Sequence, residues 1–104
     1  MARWDVYRNA ARRGQAEVPY LLDVQADLLS HLDTRVVVPL FMAEAVPRPL
    51  SHLQPRLRVE DVDVVMDTPT LVGVPRRALG EWVTNLSQES ATMLGALEFL
   101  FTGV

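Results

Sequence analysis

The chain has no cysteine and no lysine among its 104 residues, and it has only two histidines. Without cysteine it can form neither a disulfide framework nor a thiolate metal site. The ten basic residues, all of them arginine, are outnumbered by 13 acidic ones, which gives a net charge of −3. Because general nucleic-acid binders carry a basic excess or a basic stripe, this balance argues against a general nucleic-acid binder.

Long apolar stretches are also lacking. The longest run, from Val36 to Ala43, is far shorter than the roughly 20 residues that span a bilayer, and no signal-peptide core follows Met1. We therefore predict a cytoplasmic protein without a membrane segment. With 49% hydrophobic and 22% charged residues, residues 1–104 have the composition of one compact globular domain.

Residues that could support catalysis are few and scattered. His31 and His52 lie in polar segments without metal-ligand spacing, and we interpret them as solvated loop residues. The serines lack the glycine-flanked setting of a catalytic nucleophile, and the five glycines form no phosphate-binding loop. The acidic residues from Glu60 to Asp67 fit a solvated sheet face better than a cation site. The residues therefore predict no enzyme, no metal and no cofactor.

Most of the chain shows β-strand patterns. An alternating segment at 3–7 predicts a half-buried first strand. A second strand is predicted at 19–24 and a third at 36–40, which Pro39 would end or place at a sheet edge. A proline-rich connecting loop follows, and then three more short strands are predicted, at 57–59, 62–66 and 71–74.

The last third of the chain changes to helical patterns. Residues 76–86 predict one or two short helical turns, interrupted by Gly80. Ser87 is the predicted N-cap of a helix that continues to Phe101. This helix is apolar on more than one stripe, although covering one sheet needs only one, so part of it is expected to face a second subunit. The predicted architecture is a small, strongly bent antiparallel sheet or open barrel, closed by one C-terminal helix.

The last seven residues, Glu98–Val104, are unusually apolar for a chain end. Such a segment either docks into the core or stays exposed for a partner. We expect a division of the two roles. Leu94, Leu97 and Leu100 would serve the core and the dimer, while Phe101–Val104 would stay available to a partner.

Five segments of the chain resemble the CcdB family of toxins. They are Asp23–Leu29, Val37–Leu40, Met66–Pro75, Leu86–Ser87 and Ala96–Val104. Their order and spacing hold over essentially the whole chain, with a slightly longer first loop. The terminal F-x-G-[IV] pattern and the matching length make the resemblance more specific than any one segment does.

The resemblance implies a homodimeric toxin of a type II toxin–antitoxin system, with an SH3-like fold shared with the MazF ribonuclease toxins. It also implies a protein that is not an enzyme and that inhibits DNA gyrase by binding its A subunit and trapping the cleavage complex. A CcdA-like antitoxin would neutralise it through a disordered C-terminal segment. Operator DNA would be bound only through the antitoxin, in a complex that represses its own operon.

Two sets of contact residues follow from the same resemblance. The gyrase-binding set comprises Leu28, Leu29, Glu98, Phe101, Thr102, Gly103 and Val104. The antitoxin-binding set is the first loop, which comprises Arg8, Asn9, Ala10, Ala11, Arg12 and Arg13.

The gyrase-binding set departs from the family pattern at two positions. Thr102 stands where the best-studied toxin has a tryptophan that stacks on an arginine of gyrase, and Glu98 stands where it has asparagine. Truncating such an anchor commonly costs about 2 kcal/mol or more. One alternative is therefore a homologue that binds the antitoxin but has weakened or redirected toxicity. Another is a MazF-like endoribonuclease, which would need a polar cluster for acid–base chemistry on RNA.

Overall fold

The computed structural model describes residues 1–11 and 14–104, which form seven strands and one α-helix. The elements are β1 (Asp5–Asn9), β2 (Tyr20–Asp23), β3 (Thr34–Met42), β4 (Arg56–Val59), β5 (Val62–Met66), β6 (Val72–Pro75), β7 (Leu79–Asn85) and α1 (Ser90–Thr102). All pairings are antiparallel, in the order β4-β5-β3-β2-β1-β7, and β6 pairs with β3. This curled half-barrel with a C-terminal helix confirms the predicted fold class.

The long strand β3 is at the centre of the sheet, and Pro39 lies within it. One edge of β3 pairs with β2, while the other edge pairs with β6 over Thr34–Val37 and with β5 over Leu40–Met42. The prediction that Pro39 ends the strand or lies at a sheet edge was therefore wrong. Its carbonyl accepts the Asp67 N–H at 3.0 Å. Because the N–H and C=O of one strand residue point to the same edge, the missing N–H of Pro39 falls where β3 changes partners.

The core lies between one face of the curled sheet and α1. Valine and leucine side chains of the strands supply most of it, and Met93, Ala96 and Leu97 are the buried residues of α1. Burying a side chain such as Met93 or Leu97 contributes about 1.5–3 kcal/mol. Leu94 and Phe99 remain exposed on α1, so the helix is anchored to its own sheet by one narrow stripe.

The segment at 76–86 is mainly a strand, which corrects the prediction of helical turns. One 3-10 turn at Arg76–Ala78 leads into β7, which pairs with β1. A Cβ added to Gly80 would lie 2.8 Å from the carbonyl oxygen of Arg8. Gly80 is thus required by the close approach of two strands, next to a register shift. The pairing joins residues far apart in sequence, so local patterns do not reveal it.

Two further local predictions were wrong. The first strand begins at Asp5 and is buried on both faces over its first residues, not half-buried. The Asp5 carboxylate accepts hydrogen bonds there from Tyr7 and from Trp82 of the neighbouring strand β7. The helix begins at Ser90, after a 3-10 turn at Ser87–Glu89, and no side chain caps it. Instead, the Asn85 carboxamide oxygen accepts the Ser87 N–H at 2.9 Å.

Candidate binding surfaces

The C-terminal end of α1 is closed by backbone and side-chain hydrogen bonds. Gly103 has a φ of +76° and follows the last helical residue, and its N–H bonds to the Phe99 carbonyl at 2.9 Å. The Thr102 hydroxyl donates to the Glu98 carbonyl at 2.7 Å and accepts the Val104 N–H at 3.4 Å. The segment Glu98–Val104 is therefore one ordered structural unit.

This unit is displayed to solvent. The Phe101 side chain is 70% exposed and Val104 is 93% exposed, and Glu98, Thr102 and Gly103 are exposed beside them. We call these five residues the α1 end; they are the five members of the gyrase-binding set on this helix. An exposed aromatic side chain on a rigid helix end is a feature of protein-binding surfaces.

The other two members of that set, Leu28 and Leu29, lie on a 3-10 turn at Asp27–Leu29 between β2 and β3. Leu28 is 86% exposed and Leu29 is 43% exposed. Within residues 1–11 and 14–104, no hydrogen bond joins this Asp27–Leu29 turn to the α1 end. One copy of the chain therefore displays two separate apolar features.

A buried polar network lies behind the Asp27–Leu29 turn. Arg35 and Asp23 are both fully buried, with 2.6 Å between Nη2 and a carboxylate oxygen. The other Asp23 oxygen accepts the Gln25 N–H at 3.0 Å, and the Gln25 side-chain amide donates to the Leu29 carbonyl at 2.9 Å. Burial raises the pKa of Asp23, against the hydrogen bond from Arg35. The network connects the turn to the interior of the sheet.

A groove of about 490 Å³ lies on the opposite side of the sheet from α1, beside the first loop. Its lining is mostly apolar and comprises Asn9, Ala10, Ala11, Leu21, Val74, Pro75, Arg77 and Ala78. Three members of the predicted antitoxin-binding set are among these residues, and Arg8 lies nearby with its guanidinium 5.9 Å from the Tyr20 ring centroid. Arg12 and Arg13 lie outside the described residues.

Asn9 holds the described part of the first loop, residues 8–11. Its side-chain amide donates to the Val18 carbonyl at 2.9 Å, and its oxygen accepts the Ala11 N–H at 3.0 Å. The Ala10 N–H reaches the Ala78 carbonyl at 3.4 Å. The bond between Ala10 and Ala78 joins the two walls of the groove.

A larger depression of about 600 Å³ borders α1 on its outer side. His52, which is exposed, contacts Phe99 there with ring centroids 6.1 Å apart in an edge-on arrangement. The helix surface at this point consists of small residues, and a Cβ on Gly95 would meet nothing within 4 Å. The depression leaves a face of α1 uncovered.

Trp82 was not identified from the sequence as a surface residue of interest. It lies on the edge strand β7, is 58% exposed, and donates its indole N–H to Asp5 at 3.0 Å. Its exposure was not expected because residues 76–86 were predicted to form helical turns and not an edge strand.

Metal-ligating side chains do not cluster in the part of the chain that the structure describes. No three histidine, aspartate or glutamate side chains come together there as a metal site would require.

The family model described as CcdB protein matches residues 3–103, nearly the whole chain. This chain belongs to the CcdB family. It is thus a CcdB-family toxin of a toxin–antitoxin system.

The CcdB-family toxin is also similar to a solved structure described as an endoribonuclease in complex with its cognate antitoxin, from a mycobacterial species. The TM-score is 0.77 over 97% of this chain and 94% of the other, at 17% sequence identity. At that identity the likeness concerns the fold alone.

A membrane-spanning helix is not found among residues 1–11 and 14–104, because no helix there has both the length and the apolar character to cross a bilayer.

Proposed function

We propose that this CcdB-family toxin acts in the cytoplasm by binding the A subunit of DNA gyrase and trapping the cleavage complex. The observation that carries the proposal is the α1 end, where Phe101 and Val104 are exposed on an ordered unit. Apolar groups displayed in a fixed geometry lose little conformational entropy on binding. In this proposal the toxin acts by binding alone, without catalysis and without a cofactor.

The toxin would act as a homodimer. Only one stripe of α1 is used by its own core, and an uncovered face with small residues lies beside Phe99. In a two-fold dimer the same patch is used on both subunits. Such a dimer would present two α1 ends and two Asp27–Leu29 turns to gyrase as one surface. Two copies of a modest anchor give a tighter complex than one copy does.

The partner that neutralises the toxin would be a CcdA-like antitoxin. The mycobacterial endoribonuclease of the same fold was solved with its own cognate antitoxin. On this chain, the groove beside the first loop combines an apolar lining with Arg77 at its border and Arg8 nearby. That combination suits an extended segment with apolar and acidic side chains. The antitoxin would also supply the DNA contacts of a complex that represses its own operon.

A second candidate function is an antitoxin-binding homologue with weakened or redirected toxicity. The observation that favours it is the hydrogen bond from the Thr102 hydroxyl back to the Glu98 carbonyl. That bond uses the polar group of the side chain inside the helix, and only a methyl group remains for a partner. RNA cleavage has less support, because this chain shares only its fold with the mycobacterial endoribonuclease.

A plasmid cleavage assay tests the gyrase proposal. Purified toxin, gyrase holoenzyme and supercoiled plasmid are incubated with ATP and then treated with detergent and protease. Linear DNA should accumulate with the native toxin and fall at least about thirtyfold for Phe101→Ser, because a central aromatic anchor contributes about 2 kcal/mol or more. The matched control is Val72→Ser on β6, since Val72 is also an exposed apolar residue, at 45%, and belongs to neither the α1 end nor the Asp27–Leu29 turn.

Each outcome of that assay points to one function. Equal cleavage with both variants would contradict the role of the α1 end. No cleavage with native toxin, together with intact binding of a CcdA-like antitoxin, would support the weakened homologue. Cleavage of total RNA in the absence of DNA breaks would support an endoribonuclease.

Antitoxin binding is tested at the groove. Arg77→Glu should weaken binding of a synthetic peptide from the antitoxin's C-terminal segment by about tenfold, because a charge that attracts becomes one that repels. Gyrase binding should be unchanged. The matched control is Arg58→Glu, which reverses the charge of an exposed arginine on β4, away from the groove. Equal weakening by both variants would show that only overall charge matters.

A further inference from the structure

Arg76 makes an unusual set of contacts for a surface arginine. Its Nε donates to the Leu32 carbonyl at 3.1 Å, and its Nη2 donates to the same carbonyl at 3.0 Å and to the Ser30 carbonyl. Its backbone N–H bonds to the Asp33 carbonyl at 3.2 Å. One residue, more than 40 positions later in the chain, therefore binds three carbonyl groups of the loop that precedes β3, those of Ser30, Leu32 and Asp33.

Those carbonyls belong to the segment that leaves the Asp27–Leu29 turn. Carbonyl groups at the end of a helical turn lack partners inside the turn and need donors from elsewhere. Within residues 1–11 and 14–104, Arg76 is the side chain that supplies donors to Ser30 and Leu32. The guanidinium suits this role because its fixed fork of N–H groups can bind two acceptors at once.

The turn itself is held at both of its ends by other residues. The Arg3 N–H bonds to the Asp27 carboxylate at 2.6 Å, and Gln25 bonds to the Leu29 carbonyl at 2.9 Å. Arg76 holds the segment that follows directly, from Ser30 to Asp33, and it comes from the 3-10 turn between β6 and β7. The path of the chain is thus fixed on both sides of Leu28.

We infer that Arg76 is a positioning residue, which holds the Asp27–Leu29 turn in the conformation that presents Leu28 and Leu29 to the partner. The part of this inference that concerns binding rests on the proposed gyrase function. A turn that is already ordered loses less conformational entropy when it binds, so loss of Arg76 lowers affinity without removing any contact with the partner. Arg77 provides a matched control, because it is the adjacent exposed arginine and lines the groove instead.

Amide hydrogen exchange on the free protein tests the ordering itself. The N–H groups of Leu29, Ser30 and Leu32 are hydrogen-bonded within this loop. In Arg76→Gln these amides should exchange about tenfold faster, since hydrogen bonds from a charged donor are lost. The core amides of α1 should keep their native rates, and Arg77→Gln should change neither group. Unchanged exchange at the three loop amides, or equal acceleration in α1, would overturn the inference.

A double-mutant cycle with gyrase A tests the consequence for binding. Arg76→Gln should weaken binding by about tenfold in the native background. In a Leu28→Ala background the same change should cost less than about twofold, because little remains to be positioned. Equal cost in both backgrounds would mean a general structural effect and would overturn the inference. Arg76→Lys, which keeps the charge but not the fork, should resemble Arg76→Gln.

The two tests separate failure of this inference from failure of the proposed function. Hydrogen exchange needs no partner, so it decides whether Arg76 orders the turn even for a toxin that does not bind gyrase. If native toxin binds gyrase A but Arg76→Gln binds equally well, the inference fails and the gyrase proposal stands. If native toxin does not bind gyrase A, the gyrase proposal fails and exchange alone decides the role of Arg76.

Discussion

The side-chain hydroxyl of Thr102 donates a 2.7 Å hydrogen bond to the backbone carbonyl of Glu98, one turn earlier in α1. The bond adds a side-chain donor to a carbonyl in the last turns of the helix, and so attaches the Thr102 side chain to the helix backbone. The same hydroxyl accepts the N–H of Val104 at 3.4 Å. Thr102 therefore orders the end of the chain at the position where the family's best-studied toxin carries an aromatic anchor.

The buried pair formed by Arg35 and Asp23 predicts an asymmetric response to mutation. Removing one partner of a buried ion pair costs about 3–5 kcal/mol. Asp23→Leu should lie at the upper end of that range at every pH, because the stranded guanidinium cannot lose its proton. Arg35→Met should cost less, because the stranded carboxyl group can take up a proton.

Urea unfolding at several pH values measures this asymmetry. In Arg35→Met the pKa of Asp23 rises further in the folded state, so the folded protein binds the proton more tightly. Stability relative to native protein should then be greatest at acid pH and decrease as the pH rises through the folded-state pKa. Equal losses in both variants, independent of pH, would contradict the account.

Asp5 predicts the opposite dependence on pH. Burial by itself raises the pKa of Asp5, but hydrogen bonds from Asn85, Trp82, Ala2 and Tyr7 outweigh burial and lower it below 3.8. A lowered folded-state pKa contributes stability that is present above the unfolded-state pKa and is lost as the pH falls through the folded-state pKa. Trp82→Phe removes one of these donors and keeps most of the ring.

Trp82→Phe should therefore destabilise the protein by about 1 kcal/mol at neutral pH, and the difference should shrink once Asp5 is protonated in both proteins. Carboxyl NMR titration should show a higher pKa for Asp5 in the variant. An unchanged Asp5 pKa would mean that the indole N–H does not stabilise the carboxylate. The pKa of Tyr7 is raised to about 12, chiefly by burial and then by Asp5. We therefore expect Tyr7 to lose its proton only at strongly alkaline pH in both proteins.

The contact between β7 and β1 predicts different effects for two glycine substitutions. Gly80→Ala should destabilise the protein by about 1–3 kcal/mol, because the added methyl group would meet the Arg8 carbonyl oxygen at 2.8 Å. Gly73→Ala on β6 is the matched control, with nothing within 4 Å of the added carbon. Its effect should stay within about 0.5 kcal/mol. Denaturant unfolding compares the two, and equal effects would contradict the close approach.

Local patterns predicted the parts of the fold whose signals are local. The valine-rich alternation of β5 and the apolar spacing of α1 are periodic over their own lengths, so both elements were recognised. The identity of β7 depends on pairing with β1, some 75 residues away, and its own sequence of mixed polar and apolar residues led to the wrong prediction of helical turns. The prediction for Pro39 was wrong for a related reason. Proline is tolerated inside β3 because one edge of this strand changes its partner there from β6 to β5, and the local sequence does not show that change.

The candidate sites were predictable to a different degree. Resemblance supplied the residues of the α1 end, of the first loop and of the Asp27–Leu29 turn, and the exposed positions of Leu28 and Phe101 are compatible with the two assignments to which they belong. The hydrogen bond of Thr102 and the contacts of Arg76 could not be predicted, since both depend on where a carbonyl oxygen points. Trp82 was missed because its strand was missed.

The measurement that most directly tests the central claim is calorimetric binding of the toxin to the gyrase A subunit, with native protein and Thr102→Trp side by side. We predict saturable binding by native toxin, and binding at least about thirtyfold tighter for Thr102→Trp, since an aromatic anchor contributes about 2 kcal/mol or more. Thr102→Val, which removes the hydroxyl but adds no ring, should not bind more tightly than native protein. Absence of binding by both native toxin and Thr102→Trp would contradict the assignment of the α1 end as a gyrase-binding surface.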